Sequence, residues 1–206
     1  MKENGLPGDE ILLKYVSGVL DPGIRCLVDA HLDLIPEGTR RLAPFLRLAG
    51  DMLAREAPSG LSAGGLDRAL AALDSASPEP AAEPRSDRIT AHEKLRVGGW
   101  RWAGPGTRIA PVAAPGAATR VFLMKIATGR AMLDHGHTGR EWTVILAGSY
   151  RDEFGQARPG DFIEHEQQDR HRPIVDSQTP CVCLIAMEGT IAARGLIGVA
   201  ARWSMR

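Results

Sequence analysis

Over residues 1–75, apolar residues recur three or four positions apart, which is the spacing of one face of an α-helix. Asp9 precedes the first apolar series and is a suitable N-cap for a first helix. Pro22 and Gly23 then favour a turn, and the missing N–H of Pro36 suits the first turn of a later helix. The pattern therefore predicts a small bundle of four helices, which begin near residues 9, 24, 36 and 63.

The predicted third helix carries more apolar side chains than a contact with one neighbouring helix requires. They are Leu42, Phe45, Leu46, Ala49, Met52 and Leu53. Four short helices can bury only part of this surface among themselves. We therefore expect part of the third helix to stay exposed for a protein partner. The alternative is that this face packs inside the helical domain or against the rest of the chain.

The stretch SASPEPAAEPRSDR, residues 75–88, contains three prolines among small and charged residues. This composition favours neither a helix nor a packed core, so it predicts an extended linker that holds two separate domains. We place a helical domain at residues 1–75, the linker at 76–90 and a second domain at 91–206.

Beyond the linker, the apolar period falls toward two, and β-branched runs alternate with glycine and proline. Many short strands with such turns predict an all-β sandwich or barrel. The clearest strand patterns are TRVFLMKI (119–126), EWTVILAG (141–148), GDFIEH (160–165) and CVCLIAM (181–187).

The charge balance limits the possible partners. The 206 residues include 25 basic and 25 acidic side chains. Direct nucleic-acid binding is therefore not expected, because phosphate neutralisation needs a basic surface. The first 37 residues contain seven acidic and three basic side chains, a bias that suits a basic protein partner.

No feature of the sequence points to a membrane or to secretion. No apolar run approaches the roughly 20 residues that span a bilayer, and MKENGLPGDE lacks the apolar core of a signal peptide. Cys26, Cys181 and Cys183 have no disulfide-framework spacing, so we expect a cytoplasmic protein with reduced thiols. Cys181 and Cys183 share one face of a predicted strand, where small buried apolar groups are expected rather than a redox pair.

The strongest chemical pattern is a set of metal-ligand side chains in the second domain. His135, His137 and Glu141 share parity, so on extended chain they emerge on one face. Imidazole and carboxylate groups bind divalent first-row metals, and His171 on a neighbouring strand would supply a fourth ligand. The alternative is a polar cluster at the mouth of a barrel. His165 has no such support and is expected at the surface or with an internal hydrogen-bond partner.

Two segments resemble the motifs of the cupin superfamily, whose fold is a double-stranded β-helix or jelly roll. The first motif matches at Gly129, His135, His137, Glu141 and Gly148, and the second at Pro159, Gly160, Asp161 and His171. With its helical front and Pro-rich linker, the chain resembles the ChrR family of anti-sigma factors over nearly its whole length. In that family a helical domain covers the polymerase-binding surface of an extracytoplasmic-function sigma factor. A zinc-bearing cupin domain is needed for release during oxidative stress.

The resemblance implies a non-enzymatic regulator with an extracytoplasmic-function sigma factor as its protein partner. It also implies one divalent metal on His135, His137, Glu141 and His171. Zinc is expected ahead of iron or manganese.

The helical domain departs from the family at a second zinc site. The family pattern is His-x3-Cys-x2-Cys with a further histidine near the N-terminus. In HLDLIPEG, residues 31–38, His31 remains, but Ile35 and Gly38 occupy the cysteine positions, and residues 1–30 contain no histidine. One histidine cannot hold zinc. No zinc is therefore expected in this domain, which must fold on its apolar contacts.

Two other functions stay open. A cupin metalloenzyme, such as a dioxygenase acting on a small organic substrate, would need a metal with an open position facing an apolar pocket. A sensor that has lost sigma binding would follow from the missing zinc ligands.

Overall fold

The computed structural model describes residues 5–35, 37–75 and 95–193. Its front part forms α1 (Asp9–Val16), α2 (Pro22–Leu34), α3 (Gly38–Arg55) and α4 (Gly65–Ser75). The four predicted helices are confirmed. The predicted linker at 76–90 lies outside the described residues.

The rest of the described chain forms short strands. They are β1 (Arg101–Gly104), β2 (Thr107–Pro111), β3 (Arg120–Ile126), β4 (His135–His137), β5 (Glu141–Ala147), β6 (Tyr150–Asp152), β7 (Gly155–Ala157), β8 (Phe162–His165), β9 (Arg170–His171), β10 (Ile174–Val175), β11 (Cys181–Met187) and β12 (Ile191–Ala193). The four strands predicted from the sequence correspond to β3, β5, β8 and β11, so those predictions are confirmed.

The strands build two layers. One antiparallel sheet has the order β1-β2-β3-β11-β5-β8, and two smaller sheets have the orders β10-β6-β7 and β12-β4-β9. Apolar side chains from both layers form one buried cluster between them, with Ile145 and Cys183 from the large sheet and Tyr150 and Val175 from the small ones. This arrangement is the predicted jelly roll.

The outer face of the large sheet carries α2. Ile24, Leu27 and Val28 of α2 lie in one buried cluster with Trp142 and Phe162 of the sheet. Full burial of an aliphatic side chain contributes roughly 1.5–3 kcal/mol. The helical and β parts therefore share an apolar core at α2, and the predicted domain boundaries stay a prediction.

Asp21 adds a polar link between the two parts. Its carboxylate caps α2 by accepting hydrogen bonds from the backbone N–H groups of Gly23 and Ile24 at 2.9 and 3.2 Å. The same carboxylate accepts from the N–H of Ala118 at 2.6 Å and the hydroxyl of Thr119 at 2.5 Å. One side chain thus fixes the start of α2 against the entry to β3.

The segment before α1 covers the edge strand β8. Gly5 exchanges two backbone hydrogen bonds with Phe162, and the N–H of Gly8 donates to the carboxylate of Glu164 at 2.8 Å. Because an unpaired edge strand can pair with another chain, this cover also protects the sheet.

By contrast, α3 and α4 leave most of their apolar side chains in solvent. Leu42 is buried, but Leu46, Met52 and Leu53 farther along α3 are 56%, 61% and 74% exposed. No residue of α4 is buried. The expected exposure of part of the third helix is confirmed.

Within the described ranges, no helix combines the length and the apolar character needed to cross a bilayer.

Candidate metal centre

Two cross-strand pairs, one from each layer, bring the candidate ligands together. In the small sheet, His135 of β4 lies opposite His171 of β9, and His137 follows on β4. In the large sheet, Glu141 of β5 lies opposite His165 of β8. Residues directly opposite each other in an antiparallel pair project to the same face. The two pairs therefore meet in the space between the layers.

All five side chains are buried, with 2–5% of their surface exposed. The ligand atoms of His135, His137 and His171 lie within 4.8 Å of one another, and so do those of Glu141, His165 and His171. These two triads share His171. The structure thus gathers the four residues predicted as ligands and adds a fifth.

Two hydrogen bonds set the tautomers of His135 and His171. The Nδ1–H of His135 donates to the carbonyl oxygen of Leu133 at 2.8 Å, and that of His171 donates to Oδ2 of Asp152 at 3.0 Å. Both Nε2 atoms consequently carry lone pairs, yet they face each other at 3.0 Å. Two lone pairs at this distance repel unless a proton or a metal ion lies between them. A hydrogen bond from Nδ1–H is the usual support of a metal-bound histidine.

Glu141 and His137 lie close enough together to bind the same metal ion. Oε2 of Glu141 lies 3.0 Å from Nε2 of His137, but the two atoms are not aligned for a hydrogen bond. Burial by itself raises the pKa of Glu141, but the neighbouring His137, His171 and His135 together outweigh burial and lower that pKa to about 2. The carboxylate is therefore ionised at neutral pH.

Two of the histidines, His135 and His165, are poised in the neutral form. Burial, together with the neighbouring His171, lowers the pKa of His135 to about 4. The same two causes lower the pKa of His165 to about 4. Neutral imidazoles and an ionised carboxylate are the protonation states that bind a divalent cation, so the donor set fits such an ion.

His165 is the residue that the sequence analysis missed. It is 2% exposed, and neither ring nitrogen has a hydrogen-bond partner among the described residues. The expectation of a surface or internally satisfied histidine is therefore wrong. The sequence shows that His165 lies on the same face of β8 as Ile163, two residues earlier. Its position opposite Glu141 depends on the register of β5 and β8, which the sequence does not show.

A glycine of the first motif permits the turn that follows β5. Gly148 has φ +68°, and a Cβ at this position would lie 2.6 Å from the carbonyl oxygen of Pro180. Only glycine adopts this conformation and approach without strain. The turn lets the chain leave β5 and return through the small sheet.

A pocket of about 350 Å³, including its open mouth, adjoins the centre. His135, Glu141 and His171 line it together with apolar side chains and Cys183. Cys181 and Cys183 are both buried with their sulfur atoms 3.6 Å apart, which confirms that they share the inner face of β11.

The segment 31–38, which resembles the second zinc motif of the family, does not form a cluster of metal ligands in the described structure. His31 is 1% exposed, and its Nδ1 lies 2.7 Å from the carbonyl oxygen of Gly160. Among the described residues, neither ligand triad includes His31. Ile35 and Gly38 lie where the family motif has cysteines, and neither has a side-chain atom that can bind a metal.

Comparisons with known proteins agree with this architecture. The family model described as the ChrR cupin-like domain matches residues 91–190. The anti-sigma-E factor ChrR of Cereibacter sphaeroides is 32% identical over 190 residues, with 89% of each chain covered. The crystal structure of Rhodobacter sphaeroides SigE in complex with the anti-sigma ChrR contains a chain similar to this one, with TM-score 0.74 and 29% identity. That similarity covers 89% of this chain and 98% of the other.

Proposed function

Because the chain belongs to the ChrR family of anti-sigma factors, we propose that it binds an extracytoplasmic-function sigma factor through its helical part. Bound in this way, the sigma factor is kept from RNA polymerase in the cytoplasm. The observation that carries the proposal is the exposed apolar surface of α3 and α4. The similarity to the ChrR chain of the solved complex covers 89% of this chain, so it includes the helices as well as the β part.

The proposed docking surface consists of leucine and methionine side chains on α3 and α4. Its members are Leu46, Met52, Leu53, Leu66, Leu70 and Leu73, which are 50–74% exposed. Several large apolar side chains exposed along the same helices mark a protein-interaction site. Helices of a partner that bury these side chains would gain roughly 1.5–3 kcal/mol for each one fully covered.

Electrostatic steering by the acidic front end is more limited than the sequence suggested. The acidic surplus belongs to the residues before α3, whereas α3 itself carries Arg40, Arg41, Arg47 and Arg55 against Asp51. We therefore expect the partner surface opposite α3 to be apolar with an acidic rim.

We further propose that His135, His137, Glu141 and His171 hold one divalent metal ion. On these four donors alone, zinc is favoured ahead of iron or manganese, because three imidazoles and one carboxylate suit a tetrahedral ion. When bound, the ion fixes the two layers of the β part to each other. His135 and His171 belong to one layer, and Glu141 belongs to the other.

The contact between the centre and the helices runs through two strands. Glu141 points inward toward the centre, while Trp142, the next residue of β5, points outward into the cluster that holds α2. On β8, Phe162 likewise packs in the cluster with α2, while His165 faces the centre. A change at the metal centre that shifts β5 or β8 would therefore disturb the packing of α2 on the sheet. We propose that oxidative stress releases the sigma factor through this structural change.

Capture of the sigma factor encoded nearest the gene tests the proposal. Wild-type protein, Leu53→Asp with Leu70→Asp, and the control Val19→Asp would each be co-expressed with it and co-purified. Val19 is 72% exposed, as the target residues are, but lies outside α3 and α4. We expect capture by the wild type and the control and loss of capture by the double variant.

Capture that survives the double variant would contradict the docking surface. Failure of the wild type to capture the sigma factor would favour the sensor that has lost sigma binding. The enzyme alternative rests on the pocket beside the centre, but the relative that matches the chain over 89% of its length is an anti-sigma factor.

A further inference from the structure

His165 lies beside Glu141, which is the carboxylate of the proposed four-residue metal centre. It faces Glu141 directly across β5 and β8, and its ring centroid lies 4.2 Å from that of His171. A ligand atom of His165 lies within 4.8 Å of ligand atoms of both Glu141 and His171. Each layer thus contributes a cross-strand pair of donors, with His137 completing the set.

The surroundings of His165 provide no other use for its nitrogens. The carboxylate of Asp169 lies 3.9 Å from Nδ1, which is too far for a hydrogen bond, and neither ring nitrogen has a hydrogen-bond partner among the described residues. Phe154 packs against the ring, with centroids 5.2 Å apart. A buried polar group without a partner is destabilising, because it has lost its hydrogen bonds to water. An apolar residue would fill this position without that cost, so the imidazole requires a ligand to explain it.

We propose that His165 is a fifth protein ligand of the ion held by His135, His137, Glu141 and His171. This inference rests on the proposed metal centre. Five protein donors exceed the four of a closed tetrahedral zinc site. They suit an ion that takes five or six ligands.

The additional donor changes which metals the centre favours. A four-donor set of three imidazoles and a carboxylate closes around zinc, whereas a larger set also suits Fe²⁺, Mn²⁺ and Co²⁺. His165 is therefore a residue that determines metal preference, and its loss should return the centre to tetrahedral coordination.

The visible spectrum of Co²⁺ measures this property directly. The full chain would be stripped of metal, loaded with one equivalent of Co²⁺ and compared with His165→Leu. Tetrahedral Co²⁺ absorbs strongly in the visible range, and five- or six-coordinate Co²⁺ absorbs weakly. We expect weak bands from the wild type, stronger bands from the variant, and a loss of Co²⁺ affinity of roughly 10–100-fold in competition with a chelator.

Two further variants keep the test decisive. Ile163→Leu changes the same face of β8 without removing a donor and should leave the spectrum and affinity unchanged. His165→Gln keeps a polar side chain of similar size and should behave as His165→Leu does, so it replaces that variant if circular dichroism shows that the leucine is not tolerated.

The outcomes separate the two proposals. Equal spectra and affinities for wild type and both His165 variants would overturn the fifth ligand and leave the four-residue centre in place. No Co²⁺ binding by the wild type, or binding that survives His135→Ala with His171→Ala, would overturn the metal centre itself.

Discussion

The Nδ1–H of His31 donates a hydrogen bond to the carbonyl oxygen of Gly160 at 2.7 Å, which ties α2 to the turn before β8. The side chain of Ile35 packs over the same turn, where a Cβ on Gly160 would collide with it. Gly38 leaves room for the other side of the His31 ring, since a Cβ there would lie 2.9 Å from Nε2. His31 and Ile35 thus contact the β part directly, and Gly38 makes room for the His31 ring.

Gly160→Ala should disrupt this contact. Gly160 has φ +93°, so alanine would add backbone strain to the collision with Ile35. We expect a loss of unfolding free energy of roughly 2–4 kcal/mol, measured by urea denaturation. Gly129→Ala is the matched control, because Gly129 has φ +69° and no atom within 4 Å of an added Cβ. Equal losses in both variants would show that the collision contributes nothing.

A fragment of residues 1–75 should be less helical than the same residues in the full chain. In the full chain, Ile24, Leu27 and Val28 of α2 are buried in a cluster with the large sheet. The fragment would expose them to water and lose that stabilisation. Far-UV circular dichroism of the fragment, with and without EDTA, provides the measurement. Full native helicity that survives EDTA would show that the helices fold without the β part, and helicity lost on chelation would reveal a zinc site.

Asp152→Asn should weaken metal binding without removing a ligand. The Asp152 carboxylate accepts the Nδ1–H of His171 and so keeps the opposite nitrogen free for the ion. Loss of such an orienting group typically lowers metal affinity 10–100-fold. Competition with a chelator measures the affinity. Asp134→Asn is the control, because Asp134 is exposed and forms an ion pair with Arg170. An unchanged affinity in Asp152→Asn would mean that His171 is oriented by its strand alone.

The metal-free protein should lose stability as the pH falls from about 6.5 to about 4. In the folded chain the pKa of His135 and that of His165 are each about 4, while an unfolded histidine has a pKa of about 6.5. Between these values the unfolded state binds more protons, so acid favours unfolding by up to about 3 kcal/mol per histidine. Above pH 6.5 neither histidine contributes a pH dependence.

Urea denaturation at a series of pH values measures this effect. His165→Leu should have a shallower slope between pH 4 and 6.5, because one of the two depressed pKa values is gone. Glu141 adds a loss of stability only below about pH 4.5, since its pKa is lowered to about 2 in the folded chain. An unchanged slope in His165→Leu would show that His165 is not buried as a neutral group.

The elements with strong local periodicity were predictable from the sequence. The long strands β3, β5 and β11 have continuous β-branched or aliphatic runs bounded by turn residues, and the four helices follow apolar spacing and helix-start residues. Strands of two or three residues, such as β9 and β10, are too short to produce a pattern. Their existence depends on the partner strand, which the local sequence does not specify.

The same distinction applies to the candidate centre. His135 and His137 share the inner face of β4 by chain parity. Glu141 begins β5 in the other layer, and it meets the two histidines because the two layers face each other. His165 faces Glu141 only because β5 and β8 pair in one register, and a shift of one residue would turn it toward α2. Likewise, His31 meets Gly160 across 129 positions of sequence. Local spacing therefore determined the helices and the principal strands and marked the first candidate ligands. Contacts between distant segments decided the position of His165, the packing of α2 on the sheet and the exposed surface of α3 and α4.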